Sequence, residues 1–597
     1  MGVPGFFSWL LKNKKKLGAK NLVQESVDLK IKWLMLDTNC LLHPCVANVL
    51  EKYREGMLEI NLSKDLRTQI EEHIWVKIVG CINDMLEQIK PEYLFVAIDG
   101  VAPMGKILQQ RQRRYRFLFD KQIKLNTNPD SINQINECVD KTIVNKLTGI
   151  EEPCLPVSSI ELTPGTDFME RIHRRMEKYM GQLGQRGIKY IYSSYHDEGE
   201  GEHKILQYIK KNLTPLDSIV VYGLDADLLF LCLGIGSGYD LYVMREKQAF
   251  VNKEVDLDEV PEYNFVEIKL LHKLISNLEI STCDFIILCY LIGNDFLPGL
   301  LTTDVKKGGL DKIFRAWDNL KTKLGLGTSF NDDGQICSHL IIWNEVMKKY
   351  SINWEILKGV FEELVWTEKH IWKNINRDKL LNQDNLEPEE KEKLLWSKEE
   401  EKKEQMDKFI HGSSTNTDFL EKIEFSSSVE YYSYYLGITC MDIDKSIIIK
   451  MVGDYIGGIE WCMGYYLDKC PSWTYGYNFL VTPLIRDILN FFPNNLNKIS
   501  IKYKPRTLNP VEQLVLAIPP QTYKYVIEKK LVDKIRSNQI IGYMLPESFE
   551  IDVNKEHIFW KCQVRIPIVE YEEFEREIKK LGIQGDKNKI YGYIKNF

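Results

Sequence analysis

A chain of 597 residues, 44% hydrophobic and 27% charged, has the composition of a globular protein and divides into two or more domains, because single cores rarely grow beyond about 250 to 300 residues. Its formal net charge of −7 argues against a protein that coats duplex DNA by bulk electrostatics, while leaving room for a local basic channel. There is no apolar run of the roughly eighteen residues a membrane span needs, and the thirteen cysteines are scattered with no Cys-x-x-Cys pair, which predicts free thiols in a reducing compartment.

In chain order, the opening "MGVPGFFSWLLKNKKKLGAK" puts its charges after its apolar stretch, the reverse of a secretory signal. Phe6 stands where myristoylation wants Ser or Thr, and "NKKKLGAK" reads as a solvated loop rather than a nuclear signal. "IKWLMLD" predicts a strand ending at Asp37. Cys40 and Cys45 bracket His43, but a structural zinc site needs a second ligand pair at matching spacing, so packed cysteines are expected. "YLFVAID" predicts a strand ending at Asp99, followed by a helix from near Pro103. On that helix Lys106, Gln110, Arg113 and Arg114 fall at i, i+4, i+7 and i+8, one stripe able to hold a phosphate.

"IKYIY" is a third strand, and "HDEGEGEHKILQYIKKN" starts a helix with Glu200 and Glu202 at its positive end. "SIVVYGLD" is a fourth strand, and the run "VYGLDADLLFLCL" reads as strand-like throughout apart from Asp225 and Asp227. "CDFIILCYLIGNDFLPGL" adds Asp284 and, in a Gly-Asn-Asp turn, Asp295. Beyond it "INWEILKGVFEELVWTEKHIW" is amphipathic, "EPEEKEKLLWSKEEEKKEQMDKF" reads as a solvated charged helix or connector, and "HGSSTNTDF" as a linker. Residues 426–597 are rich in Tyr and Trp. The expected architecture is α/β, a largely parallel sheet with helices on both faces, plus a second, mostly helical aromatic-rich domain. The expected boundaries are 1–315 for a catalytic domain, 316–425 for a helical, highly charged connector, and 426–597 for the second domain.

Ligands of an open parallel sheet sit beyond the carboxyl ends of its strands, and several apolar runs here end in acid. Asp37, Asp99, Glu200, Glu202, Asp225, Asp227 and Asp295 are therefore expected to converge. Unpaired, they would repel one another and carry raised pKa values. Hard cations resolve this: magnesium, with manganese as a substitute, takes carboxylate oxygens without His or Cys. Two such ions roughly 4 Å apart suit phosphodiester hydrolysis. With a terminal-phosphate pocket beside them, the site would start from an end, as an exonuclease does.

These stretches together resemble the Xrn family of 5′→3′ exoribonucleases. "MGVPGFF", "LDTNCLLH", "IDGVAPMGKILQQRQRRYRF", "TPGTDFM", "GEGEHKI", "YGLDADLLFL" and "LCYLIGNDFLP" occur in the family's order, and "GIEWCMGYYLDKCPSWTYGY", "NPVEQLVLAIPP" and "PESFEIDVN" with Trp560 resemble its second conserved region. The resemblance implies a flap-nuclease-like fold and a processive, magnesium-dependent enzyme degrading single-stranded RNA with a 5′ monophosphate. All seven acids match the family's metal-binding acids, and Lys106, Gln110, Arg113 and Arg114 its 5′-phosphate pocket. His43 matches its base-stacking histidine, with Trp473 favoured over Tyr475 as the opposing ring; such stacking is worth roughly 1 to 3 kcal/mol per base. The chain departs from the family at Gly5, Met104, Gly105, Glu198 and Tyr475, none of them a metal or phosphate ligand. The family's cytoplasmic members carry a long extension after the second region, and the resemblance here implies a short form without it. The implied setting is a cytoplasmic monomer, with nuclear action as the alternative and a decapping enzyme as candidate partner. The competing readings are a structure-specific flap-type DNA nuclease and a catalytically inactive RNA-binding module.

Overall fold

The computed structural model describes residues 6–13, 22–27, 30–61, 63–125, 143–144, 151–152, 157–225, 227–247, 262–305, 308–329, 336–368, 427–436, 445–492, 507–552, 563–582 and 594–595. Its centre is a seven-stranded sheet. In chain order the strands are β1 (Trp33–Asp37), β2 (Tyr93–Ala97), β3 (Lys189–Ser193), β4 (Ser218–Tyr222), β5 (Asp240–Glu246), β6 (Tyr263–Glu267) and β7 (Ile594–Lys595), arranged β7-β3-β2-β1-β4-β5-β6. The run β3-β2-β1-β4-β5 is parallel, and β6 and β7 close the edges antiparallel.

Alternation along each strand explains why the strands read as continuous apolar runs. Trp33 and Met35 of β1, Phe95 and Ala97 of β2, and Ile219 and Val221 of β4 point into one buried cluster. Leu34 and Leu36, Leu94 and Val96, and Val220 and Tyr222 point into another on the opposite face. A strand covered on both faces has no polar side to show.

The sheet register sets the site. Asp37 pairs with Ala97, and Leu36 with Tyr222, so Asp99 and Asp225 lie two and three residues past the same edge. Because β1 leads to β2 on one side while β4 lies on the other, the β1/β4 boundary is the topological switch point, where open α/β sheets bind ligands.

One expectation fails here. The strand-like run 221–233 is a strand only to Tyr222; Asp227–Leu233 is a short helix, and all of it is buried. Full burial erases the periodicity that would tell a helix from a strand.

The remaining described chain packs on this frame. Ile313, Trp317, Leu357 and Phe361, from the helices Gly309–Leu324 and Trp354–Leu364, enter the same cluster as β1 and β2, as do Val452, Tyr455 and Trp461 of the helix Lys445–Leu467. The second region is therefore continuous with the first region's core. Trp560 and the charged stretch 387–409 lie outside the described residues, as do "NKKKLGAK" beyond Asn13 and the "HGSSTNTDF" linker. Among the described residues no helix is long and apolar enough to cross a membrane.

Asp284 is placed for structure. It is buried and takes the backbone N–H of His339 at 2.8 Å, Leu340 at 3.0 Å and Ile341 at 2.9 Å, together with the Ser338 hydroxyl. Truncation strands several donors, each costing about 1 to 3 kcal/mol when buried. Asp284→Ala is expected to lower the thermal midpoint by roughly 5 °C or more, read by differential scanning fluorimetry; an unchanged midpoint would refute this role.

Candidate active site

Seven acids gather at the carboxyl edge of the sheet, delivered by different elements. Asp37 is the last residue of β1, and Asp99 follows β2. Glu200 caps the helix Gly201–Asn212 and Glu202 lies in its first turn. Asp225 follows β4, Asp227 opens the short helix after it, and Asp295 follows the helix Thr282–Tyr290. Asp37, Glu200, Glu202, Asp227 and Asp295 are buried.

Repulsion among them helps to raise four: Asp37, Asp99, Glu202 and Asp227. Burial, then Asp99, Asp225 and Glu200, push Asp37 up to about 8, against a Cys40 thiol that donates to it. Burial and then Glu200 raise Asp99 to about 6. Burial and then Asp295 and Asp225 raise Asp227 to about 8. Glu202 is raised well above the usual carboxylate range by burial, with Glu200, Asp225 and Asp37 adding to it. Asp295 goes the other way: burial opposes its charge, but Lys106 holds it well below the ordinary range.

Lys106 Nζ lies 2.7 Å from Glu200 Oε1 and 2.8 Å from Asp295 Oδ2. Its ammonium sits between two of the acids, and of the stripe it alone is drawn into them. Further along the same helix, Met104–Leu125, Gln110 Oε1 and Arg114 Nη1 are buried without a hydrogen-bond partner, and Arg113 is exposed. Arg114 is brought down to about 9, by burial and then by Arg113. The same two arginines stand close enough to His43, after burial, to lower its imidazole to about 4. His43 is therefore neutral at pH 7. Trp473 lies on a loop of the second region, with its Cη2 atom 3.6 Å from where a Cβ on Gly199 would be. Tyr475 is committed to the core, its ring stacked on Trp461 at 5.7 Å and its hydroxyl donating to the Asp454 carbonyl at 2.8 Å.

Several supporting residues carried no sequence signal of their own. Asn39 Nδ2 donates to Asp99 Oδ2 at 2.9 Å, and its Oδ1 accepts the Asp99 N–H at 3.2 Å. The Gly201 N–H donates to Asp99 Oδ1 at 2.6 Å. A Cβ on Gly201 would stand 2.6 Å from Asp37 Oδ1 and 3.0 Å from the Ala97 carbonyl, so glycine is required for the acids to close up. Tyr465 donates to Glu200 Oε2 at 2.8 Å, while its ring stacks on His203 at 4.3 Å. Lys204 donates to the Ile98 and Ser194 carbonyls, both at 2.8 Å, beneath the site. Adjacency to Asp37 could have flagged Asn39, and Lys204, beside Glu202, is legible as a capping or neutralising cation; nothing local could have flagged Tyr465.

Among the described residues no three His, Cys, Asp or Glu side chains are closed up tightly enough to hold a metal ion as they stand. Yet Asp37 Oδ1, Glu202 Oε2 and Asp227 Oδ1 are buried with no donor. Buried carboxylate oxygens without donors are costly, and an oxygen-only set fits hard divalent cations. Lys106, bridging two acids, meets part of the same demand for positive charge. The donor chemistry fits magnesium or manganese.

Residues 1–247 match the family model described as XRN 5'-3' exonuclease N-terminus, and 276–587 the one described as Xrn1 helical domain. The chain is 25% identical to human 5'-3' exoribonuclease 1, covering 96% of this chain and 33% of that protein. It is 24% identical to the Schizosaccharomyces pombe 5'-3' exoribonuclease 1 over 96% of this chain and 48% of the relative. It is 23% identical to the Drosophila melanogaster 5'-3' exoribonuclease 2 homolog over 100% and 74%. The chain thus spans a third to a half of the first two relatives.

The raised carboxylates fix a pH dependence. Asp37 and Asp227, at about 8 when folded, hold protons that the unfolded chain releases near pH 4, so cation-free stability is fully present below that and is lost as pH rises to about 8. The thermal midpoint without divalent ions is expected to fall between about pH 6.5 and 8. The double variant Asp37→Asn, Asp227→Asn should flatten that slope; an equal slope in the variant would assign it elsewhere.

Proposed function

The chain belongs to the XRN 5′-3′ exonuclease family, and we propose that it is itself a processive 5′→3′ exoribonuclease releasing mononucleotides from single-stranded RNA that bears a 5′ monophosphate. The observation that carries the reading is one ion-paired junction. Lys106 ties the Met104–Leu125 helix, which bears Gln110, Arg113 and Arg114, directly to Glu200 and Asp295. A terminal phosphate on that stripe therefore lies beside the acids.

Each side chain has a part in this reading. Arg114 Nη1 is an unpartnered donor at the stripe, Gln110 bears an amide NH2 from which a phosphate oxygen can accept, and Arg113 and Arg114 supply the forked cation that a phosphate takes. Neutral His43 presents a ring for the leading base, with Trp473 as the proposed opposing face, and stacking tolerates any base. Asn39 and the Gly201 N–H orient Asp99, and Tyr465 orients Glu200. The seven acids would hold two divalent cations, magnesium by preference, which supply Lewis-acid stabilisation of the attacking and leaving oxygens.

The test is degradation of one 3′-labelled RNA carrying a 5′ monophosphate, triphosphate or hydroxyl, with magnesium. The monophosphate form is expected to be degraded at least about tenfold faster than the others. Asp225→Ala should lower that rate by about 1000-fold or more while RNA binding persists. Equal cutting of all three ends would overturn the phosphate reading; binding without any degradation would favour an inactive RNA-binding module.

A further inference from the structure

The helix Met104–Leu125 has a second stripe beside the first. Leu108, Gln109 and Arg116 lie along it and line a cleft of about 220 Å³, whose lining also includes Phe479 and Ile568. At about 10 to 15 Å³ per water in this measure, that is room for roughly fifteen to twenty waters, which suits a small organic ligand and not a polypeptide.

Three features of its wall point to a ligand. Gln109 has both Oε1 and Nε2 buried with no hydrogen-bond partner, an acceptor and a donor side by side. Its neighbour Gln112, by contrast, spends both groups on Val564. Arg111, 2% exposed, also lines the cleft. Its guanidinium donates to the carbonyls of Pro567, at 2.8 Å, and Met544, while its Nε has no partner. Among the described residues no carboxylate pairs with it. A buried cation without a counterion is costly. The third feature is position: Asp295 is part of the same wall, with its own charge already committed to Lys106 at 2.8 Å.

We propose that this cleft is a binding site for a nucleoside 5′-monophosphate, with the phosphate drawn to Arg111 and the donor–acceptor edge of the base read by Gln109. The paired free groups of a side-chain amide complement a base edge, and the half-buried ring of Phe479 offers a stacking surface. The choice of nucleotide rests on the exonuclease reading above, since Asp295 belongs both to the acid cluster and to this wall. The cleft is then where the product is held as it leaves, and accumulated product should slow the enzyme through it.

The experiment is isothermal titration of adenosine monophosphate, without divalent ions, into the full chain carrying Gln110→Leu and Arg113→Ala, which disables the phosphate stripe beside the acids so that the cleft is read by itself. Saturable binding is expected, weakened at least tenfold by Gln109→Leu and by Ile568→Trp. Ile568 is 50% exposed, so the indole can fill the mouth without disturbing the fold, and unchanged melting checks both variants. No saturable binding in that background, or binding kept at full strength in both cleft variants, would overturn the proposal. Neither readout needs RNA to be degraded, so failure of the cleft and failure of the exonuclease reading are distinguishable.

Discussion

Crowding of buried negative charge is the constraint on which the rest of this structure depends. Asp37, Asp99, Glu202 and Asp227 have raised pKa values because they are taken from water and set against each other. Such a set survives only if the surrounding frame over-determines it. The frame does so by drawing the acids from separate elements: strand ends at the switch point, one helix N-terminus, and the turn after Tyr290. Gly201 lets two strands' acids approach one helix start, because any side chain there would meet Asp37 Oδ1. Lys106 supplies positive charge from a fourth direction.

The second region completes this arrangement from far along the sequence. The first amides of the Met104–Leu125 helix have no partner within the helix. The Met104 N–H instead donates to the Trp473 carbonyl and that of Gly105 to the Tyr475 carbonyl, both at 2.9 Å. Ala102 N–H donates to Gln513 Oε1 at 2.9 Å, and Tyr465 reaches Glu200. The start of the helix that carries Lys106 is thus held by residues some 370 to 410 positions downstream, so the two matched family segments meet at the acids.

Much of this was legible in the sequence. Strands buried on both faces announce themselves as apolar runs, and an acid at the end of such a run projects past the sheet edge, which is how Asp37 and Asp99 could be read. Glu200 and Glu202 were legible from the helix they start. The helix Asp227–Leu233 was not, since an apolar run with no polar face has no period to detect. Asp284 looked like Asp295 in sequence, yet one ties down a turn and the other faces Lys106. Tyr465, Gln513 and the capping carbonyls of Trp473 and Tyr475 act through long-range contacts, which a single sequence does not encode locally. The resemblance covered those regions without saying which atoms do the work.

The central claim is that the clustered acids are built to hold divalent cations. Its most direct test is to count manganese ions bound per chain at neutral pH by electron paramagnetic resonance, comparing the wild type with Asp225→Ala. The account predicts two saturable sites in the wild type and the loss of at least one in the variant. No saturable binding, or equal binding in both proteins, would contradict it and leave Lys106 as the counter-charge the acids were assembled around.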